Sequence, residues 1–150
     1  MTAADDPWQT AVSVLKLSTR LIDQIQAGVR EAGFDDVTPL HGFAFARMAT
    51  GDATTADLAS HLGVSKQAAA QLVDRLVRGG YVERHEHPAD RRARLLFLTD
   101  RGLACMTVAR QAAERAIDQW RREMPAGDRE RFEATVRALT ADISAYRVPI

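Results

Sequence analysis

Apolar residues recur along most of the chain at spacings of three and four, which is the period of an α-helix. The first such segment, from Pro7 to Ala32, carries apolar residues on two faces, as in a helix that is buried on two sides. Gly33 ends this helix, Thr38-Pro39 begins a second one, and Gly51 closes it. The pattern therefore predicts two helices in the first third of the chain.

The next segment has the pattern of a helix-turn-helix. Thr54 and Asp57 have the spacing of a capping box, which begins a short helix that ends at Gly63. Ser65 then caps a second helix, whose apolar face is Ala69, Leu72, Val73 and Leu76. Its remaining positions point to solvent: Lys66, Gln67, Ala70, Gln71, Asp74 and Arg75. The second helix of a helix-turn-helix enters the DNA major groove, although a helical hairpin that only packs has the same pattern.

Beyond Gly79-Gly80 the period changes from helix to strand. Tyr81-Val82 and the run from Arg94 to Leu98 are predicted as short strands, and the polar segment from Glu83 to Ala93 as a long charged tip between them. A basic hairpin directly after the second helix occupies the position of the wing in a winged helix. Arginines at a wing tip can enter the minor groove, whose negative potential attracts guanidinium groups.

Helices resume at Thr99 with apolar residues at heptad-like spacings. The first seam is Met106, Ala113, Ile117, Trp120 and Met124. After Pro125 and Gly127, the second seam is Phe132, Val136, Leu139, Ile143 and Tyr146. Such seams are suited to packing on partner helices. The predicted fold class is mainly α with a small β-hairpin wing.

Composition restricts the class of protein, and the distribution of charge restricts it further. The 150 residues are 46% hydrophobic, which indicates one folded domain. Formal net charge is zero, and this argues against a nucleic-acid partner. Residues 65–94, however, hold seven basic and four acidic residues, a local charge of +3, against −4 before them and +1 after them. The positive charge therefore lies on the predicted helix-turn-helix and wing.

Several other classes are not expected. The longest apolar run, from Leu95 to Leu98, is too short to span a membrane, and the segment from Met1 to Trp8 lacks a signal region, so a cytoplasmic protein is expected. The single Cys105 excludes a disulfide framework. No grouping of a nucleophile with a base, no phosphate loop and no metal-ligand spacing is present, so neither an enzyme nor a cofactor is expected.

Four motifs together resemble the MarR (multiple antibiotic resistance regulator) family. They are Leu58-Ala59 through Leu62-Gly63-Val64-Ser65, the run from Leu72 to Leu76, Gly80-Tyr81-Val82, and Asp90-Arg91-Arg92 followed by the run from Leu98 to Gly102. The wing motif is the most specific, whereas the first is shared by many helix-turn-helix families. The resemblance covers about Thr54 to Gly102.

The resemblance implies a bacterial transcription regulator. It implies a homodimer that binds a pseudo-palindromic operator in double-stranded DNA, acts as a repressor, and is released by a small-molecule effector, phenolic or otherwise aromatic. Residues 37–99 would form the winged helix-turn-helix lobe, and residues 1–36 and 100–150 the helical dimerisation region of a single 1–150 domain. The alternative is a winged-helix module that binds protein instead of specific DNA.

The resemblance also assigns roles to individual residues. The residues facing the major groove would be Ser65, Lys66, Gln67, Ala70 and Gln71. Arg75 would reach the DNA backbone, and the wing arginines Arg91, Arg92 and Arg94 would serve the minor groove. Asp90 would brace the wing by pairing with a nearby arginine. Phe97 departs from the family pattern, because it occupies an outward position that is often polar in relatives.

The remaining candidates are single residues. The candidates to line an effector pocket are His41, Phe43, Phe45, Met48 and Trp120, although core packing explains the same residues. Cys105 is expected to be buried or in an interface. His85 and His87 share a strand face close to Asp90, but two ligands on a wing are few, so a solvated polar surface is expected there instead of a metal site.

Overall fold

The computed structural model describes residues 6–144, and within them it forms six helices and one hairpin. The elements are α1 (Pro7–Glu31), α2 (Pro39–Ala49), α3 (Thr55–Leu62), α4 (Lys66–Arg78), β1 (Val82–Glu86), β2 (Arg94–Leu98), α5 (Asp100–Glu123) and α6 (Arg129–Thr140). This order confirms the predicted fold class, a mainly helical winged helix-turn-helix. Tyr146 of the second predicted seam lies outside the described residues.

The predicted helix starts are confirmed, because each depends on a local hydrogen bond. Thr54 Oγ1 accepts from the amide of Asp57 at 3.2 Å, and the Asp57 carboxylate accepts from the amide of Thr54 at 2.8 Å. Ser65 Oγ accepts from the amide of Ala68 at 3.1 Å, which satisfies a free donor in the first turn of α4. Between these helices Gly63 adopts a φ of 68°, a conformation that favours glycine.

The first wing strand differs from the prediction. Tyr81 precedes the strand and is buried, while β1 extends through Glu86, which pairs with Arg94 across an antiparallel ladder. After Val82 every β1 residue is exposed, so the strand lacks the alternation of polar and apolar residues that marks a half-buried strand. The charged tip is correspondingly shorter than predicted and covers residues 87–93.

The core lies where α2, α3 and α4 meet the hairpin and the first turns of α5. Its largest fully buried side chains are Tyr81, Phe45, Leu58, Leu62, Leu76, Leu96, Val29, Val73 and Cys105. The amide of Leu96 donates to the carbonyl of Ala53 at 2.9 Å, which ties β2 to the segment before α3. The expected burial of Cys105 is confirmed, with 1% of its surface exposed.

The long helices α1 and α5 pack against each other through small and polar residues. Gly28 lies so close to Ala112 that a β-carbon at Gly28 would be 2.6 Å from that of Ala112. Further along, Trp120 Nε1 donates to Gln24 Oε1 at 3.1 Å. No helix within residues 6–144 has the length and apolarity that crossing a membrane requires.

Large apolar side chains at both ends of the described chain remain exposed. On α1, Trp8 is 69% exposed and Leu15 is 64% exposed. On α6, Leu139 is 72% exposed. Ile143, which follows α6, is exposed as well. Exposed apolar surface of this kind marks sites of protein association.

Replacing Gly102 with alanine is expected to destabilise the fold. A β-carbon there would collide with the backbone carbonyl oxygen of Tyr81, which cannot move freely. We expect a loss of about 1–3 kcal/mol in the free energy of unfolding, measured by urea denaturation. Gly127→Ala is the matched control, because a β-carbon at Gly127 would meet no atom within 4 Å, and it should change stability by less than about 0.5 kcal/mol. Equal effects of the two changes would contradict the close contact.

The Cys105 thiol is expected to be unreactive in the folded protein. Burial raises its pKa to about 11, so almost no thiolate forms near neutral pH. Labelling with Ellman's reagent at about pH 8 should therefore be slow in buffer and fast in unfolding concentrations of urea. Native protein that reacts as fast as free cysteine would contradict this burial.

Candidate nucleic-acid interface

The second helix of the helix-turn-helix, α4, is divided into a buried and an exposed face. Ala69, Leu72, Val73 and Leu76 are buried, as the sequence predicts. The opposite face is exposed and contains Ser65, Lys66, Gln67, Ala68, Ala70, Gln71 and Arg75. The core therefore holds the helix while leaving its polar face accessible along its whole length.

The long side chains on this exposed face have no polar partner in the described part of the chain. Within residues 6–144, no hydrogen bond or ion pair engages the side chains of Lys66, Gln67, Gln71 or Arg75. Their donors are therefore available to a ligand. The two alanines keep the surface low between the longer side chains, which allows a close approach to a groove.

The wing turn is braced by the main chain and not by an arginine side chain. Asp90 Oδ1 accepts from the backbone amide of Arg92 at 2.9 Å, and the amide of Ala93 donates to the carbonyl of Asp90 at 3.2 Å. The predicted pairing of Asp90 with an arginine guanidinium is therefore corrected. An aspartate that accepts from an amide two residues later stabilises a turn locally, without a second side chain.

The three wing arginines are exposed, and one of them folds back on the turn. Arg94 Nη1 donates weakly to the carbonyls of Ala93 at 3.3 Å and Arg91 at 3.4 Å. Within the described part of the chain, the guanidinium groups of Arg91 and Arg92 make no hydrogen bond or ion pair. Arg91 and Arg92 are therefore the wing cations that are free to bind an anion.

Arg84 has a structural role that the sequence reasoning missed. Its guanidinium pairs with the carboxylate of Asp74, which joins wing strand β1 to the exposed side of α4. The pair lies at the surface, so it contributes little to stability. The signal in the sequence was an unpaired acidic residue on α4 ten positions before an arginine on β1.

Phe97 lies on the outer face of the wing sheet and is 40% exposed. Its ring centroid is 4.8 Å from that of His85, so it covers part of the sheet through a cross-strand contact. His85 Nε2 also lies 3.1 Å from a carboxylate oxygen of Glu83. Across the described residues, no group of three histidine, cysteine, aspartate or glutamate side chains is arranged to hold a metal ion.

The sequence also gave no indication of a polar cluster that forms around the hydroxyl of Tyr81. The hydroxyl of Tyr81 donates to Asp36 Oδ1 at 2.5 Å and accepts from Arg101 Nη2 at 2.9 Å. The Arg101 guanidinium also lies over the rings of Tyr81 and Phe34, at 4.6 and 5.8 Å from their centroids. The cluster joins the α1–α2 connection to the start of β1 and to α5. Its members lie far apart in sequence, and no local motif points to it.

The predicted pocket residues do not line one cavity: His41, Phe45 and Met48 are buried on α2, and Trp120 lies apart from them on α5. Phe45 packs on Tyr81 in the core, with 5.8 Å between ring centroids, whereas Trp120 lies about 22 Å along α5 from the core residue Cys105. His41 caps α2 by accepting from the amide of Thr38 at 3.1 Å. Burial lowers the pKa of His41, and the positive charge of Arg75 lowers it further, so this histidine is neutral near pH 7.

An apolar cavity lies nearby, between α1, α2 and α5. Its volume is about 380 Å³. The lining residues are Ile22, Ile25, Gln26, Val29, Val37, Pro39, Gly42, Phe43, Ala46, Met106, Ala109, Arg110 and Ala113. Of the predicted pocket residues, Phe43 is among them, whereas His41, Phe45, Met48 and Trp120 are not. Phe45 fills the core instead, and most of the cavity is lined by aliphatic side chains that the sequence did not single out.

Comparison with known proteins finds similarity to one family. A model of the MarR family matches residues 35–93, from the α1–α2 connection through the wing tip. The structure of RV1404 from Mycobacterium tuberculosis is similar at a TM-score of 0.78 and 23% identity, covering 96% of this chain and 99% of that one. A crystal structure of MarR has a TM-score of 0.69 and 25% identity, covering 91% and 97%.

A structure that contains DNA shares the fold as well. A MepR mutant from S. aureus, bound to an oligodeoxyribonucleotide, has a TM-score of 0.64 and 14% identity, covering 90% of this chain and 98% of that one. By sequence, no curated protein matches the chain. The chain is therefore similar to MarR-family regulators over the helix-turn-helix and wing, and it shares the winged-helix fold of their structures over nearly its whole length.

Proposed function

We propose that this protein is a homodimeric repressor that binds a pseudo-palindromic operator in double-stranded DNA in the bacterial cytoplasm. The observation that carries the proposal is the exposed face of α4, whose long polar side chains have no partners in the described chain, beside a wing with two free arginines. Such a face fits the major groove, while the wing reaches the adjacent minor groove. The DNA-bound MepR structure of the same fold favours this mode.

Individual roles follow from the positions on α4 and the wing. Lys66 lies in the first turn of α4, where the helix N-terminus also favours phosphate. Gln67 and Gln71 are one helical turn apart, and either can make a bidentate contact with adenine. Arg75 lies a further turn along and reaches the backbone. Ser65 is already used as the cap of α4, so its part is to hold the helix start against the DNA.

Dimerisation is proposed through both ends of the chain. The exposed apolar residues of α1 and α6, among them Trp8, Leu15 and Leu139, need a cover that the described single chain does not supply. A second copy supplies the same residues in return, as a two-fold interface requires. Two copies of the winged helix then face two half-sites of one duplex, and the locally positive segment is present twice.

Release by an effector is proposed at the apolar cavity between α1, α2 and α5. Its lining is almost entirely apolar, with Gln26 and Arg110 as polar exceptions, which suits an aromatic molecule that carries one acceptor group. The cavity borders both the long helices and the winged helix. A ligand there can therefore change the relative position of the two parts without touching DNA.

Lys66→Ala and Arg92→Ala are expected to weaken operator binding while leaving the fold unchanged. Each removes one cation from the proposed interface, at a cost of about 1–3 kcal/mol where a base is contacted. If the lost cation contacted a phosphate instead, the slope of log affinity against log salt concentration should fall by about one. The probe is the duplex that the wild-type protein selects from a random-sequence library, measured by fluorescence anisotropy at several salt concentrations.

Matched controls lie on the long helices. Lys16→Ala on α1 and Arg122→Ala on α5 remove the same charges from exposed positions away from α4 and the wing, and should leave affinity within about two-fold. If Lys66→Ala and Arg92→Ala bind as tightly as these controls and the wild type, the groove and wing assignments are wrong. Wild-type affinity for DNA that does not depend on salt would favour the alternative, a winged helix that binds protein.

Leu139→Glu is expected to convert the dimer into monomers. A carboxylate in a covered apolar interface would lose its hydration, which opposes association. Sedimentation velocity measures the result. The control is Leu103→Glu, at an exposed position near the start of α5, which should sediment as the wild type does. If Leu139→Glu and a chain that ends at residue 126 both still sediment as dimers, α6 is not part of the interface.

A further inference from the structure

Tyr81 stands between the apolar cavity and the end of α4. Its hydroxyl donates to Asp36 Oδ1 at 2.5 Å, and Arg101 Nη2 donates to that hydroxyl at 2.9 Å. Arg101 Nη2 lies 4.0 Å from the same Asp36 oxygen, so the three groups form one cluster. These bonds link the α1–α2 connection, the junction between α4 and β1, and α5.

The Asp36 end of the cluster belongs to the wall of the cavity. Val37, the next residue, is buried and lines the cavity, as does Pro39. The carbonyl of Val37 accepts from Gln26 Nε2 at 2.9 Å, and Gln26 is also a lining residue on α1. Anything that occupies the cavity therefore presses on a short segment that carries the Asp36 carboxylate.

The Tyr81 end of the cluster is attached to α4 and to the wing. The amide of Tyr81 donates to the carbonyl of Leu76 in the last turn of α4, at 2.9 Å. The carbonyl of Tyr81 accepts from the amide of Thr99, which follows β2, at 3.0 Å. A displacement of Tyr81 therefore moves the end of α4 and the base of the wing together.

We propose that Tyr81 is a positioning residue, and that its hydroxyl transmits occupancy of the cavity to the orientation of α4. The proposal rests on the proposed function, because it assumes that α4 binds DNA. A packed core responds to a small shift by changing between discrete arrangements, so one hydrogen bond between two such segments can bias the choice. Energetic coupling between two sites of this kind is commonly about 5- to 150-fold in affinity.

The hydroxyl is separable from the ring in this role. The ring packs on Phe45 and Phe34, with centroids 5.8 and 6.2 Å away, and phenylalanine would keep both contacts. Burial and the hydrogen bond to Asp36 raise the pKa of Tyr81, so the hydroxyl stays protonated and donates throughout the neutral range. Tyr81→Phe therefore removes the linkage while it preserves the packing.

A double-mutant cycle tests the linkage without a known effector. Ala109→Leu places a larger apolar side chain at a cavity-lining position, and so stands in for an occupant. We expect Ala109→Leu to weaken binding of the selected duplex by at least about five-fold in the wild-type background. In the Tyr81→Phe background the same change should have less than about a two-fold effect, and Tyr81→Phe alone should also change affinity by less than about two-fold.

Controls and a second readout separate the outcomes. Ala104→Leu, exposed on α5, should have no effect in either background. Ala113→Leu, also a lining residue, replaces Ala109→Leu if that variant does not fold. Hydrogen exchange of the α4 amides, measured without DNA, should rise on filling the cavity in the wild type and not in Tyr81→Phe.

Equal effects of the filled cavity in both backgrounds, or no effect in the wild type, would overturn the linkage. If the wild type selects no duplex, the proposed function fails. The exchange measurement then still decides whether the cavity and α4 communicate through Tyr81.

Discussion

The close contact of Gly102 with the Tyr81 carbonyl determines where the winged helix joins α5. A larger residue at Gly102 would push α5 away from the junction, and the bond from the Thr99 amide to the same carbonyl would be lost with it. Tyr81 also receives α4 through the carbonyl of Leu76. One residue thus connects α4, the wing and the long helix that carries the other half of the molecule. The orientation of the exposed face of α4 follows from this junction.

The exposed face of α4 also explains why zero net charge is compatible with the proposed DNA partner. Binding depends on charge within about one Debye length of the phosphates, roughly 8 Å at physiological salt, and not on the sum over the chain. The acidic excess lies in residues 1–64, whereas Lys66, Arg91 and Arg92, which form no ion pair within residues 6–144, lie on α4 and the wing. In the proposed dimer these cations are present twice on one side.

Sequence reasoning succeeded where the determining interaction is local, and failed where it spans the chain. The caps at Thr54 and Ser65 and the buried face of α4 follow from spacings of three and four residues. The full length of β1 could not be predicted, because backbone pairing with β2 forms the strand and its side chains after Val82 are exposed to solvent. The bond between Tyr81 and Asp36 joins residues 45 positions apart, and no periodicity encodes such a pair.

The same distinction between local and long-range interactions separates the candidate site residues that could be predicted from those that could not. The surface of α4 is the complement of its apolar face, so a correct helix period already assigns which residues are exposed. A cavity is defined by what is missing between elements, and its lining depends on how closely α1, α2 and α5 approach. Phe43 and Phe45 are two residues apart on α2, yet Phe43 lines the cavity and Phe45 is buried in the core, so the residue type alone did not separate them.

The proposed surfaces for DNA and for the second copy lie on different elements, and this separation constrains regulation. The helix α5 is 24 residues long, about 36 Å, and extends from the Tyr81 junction to the end near α6. An effector that bound at either surface would compete directly with DNA or with the partner. The cavity lies beside α5 and α1 and against α2, where an occupant touches both halves and blocks neither. The effector proposed for this cavity would therefore act on the angle between the halves, and the hydroxyl of Tyr81 is the contact proposed to carry that change to α4.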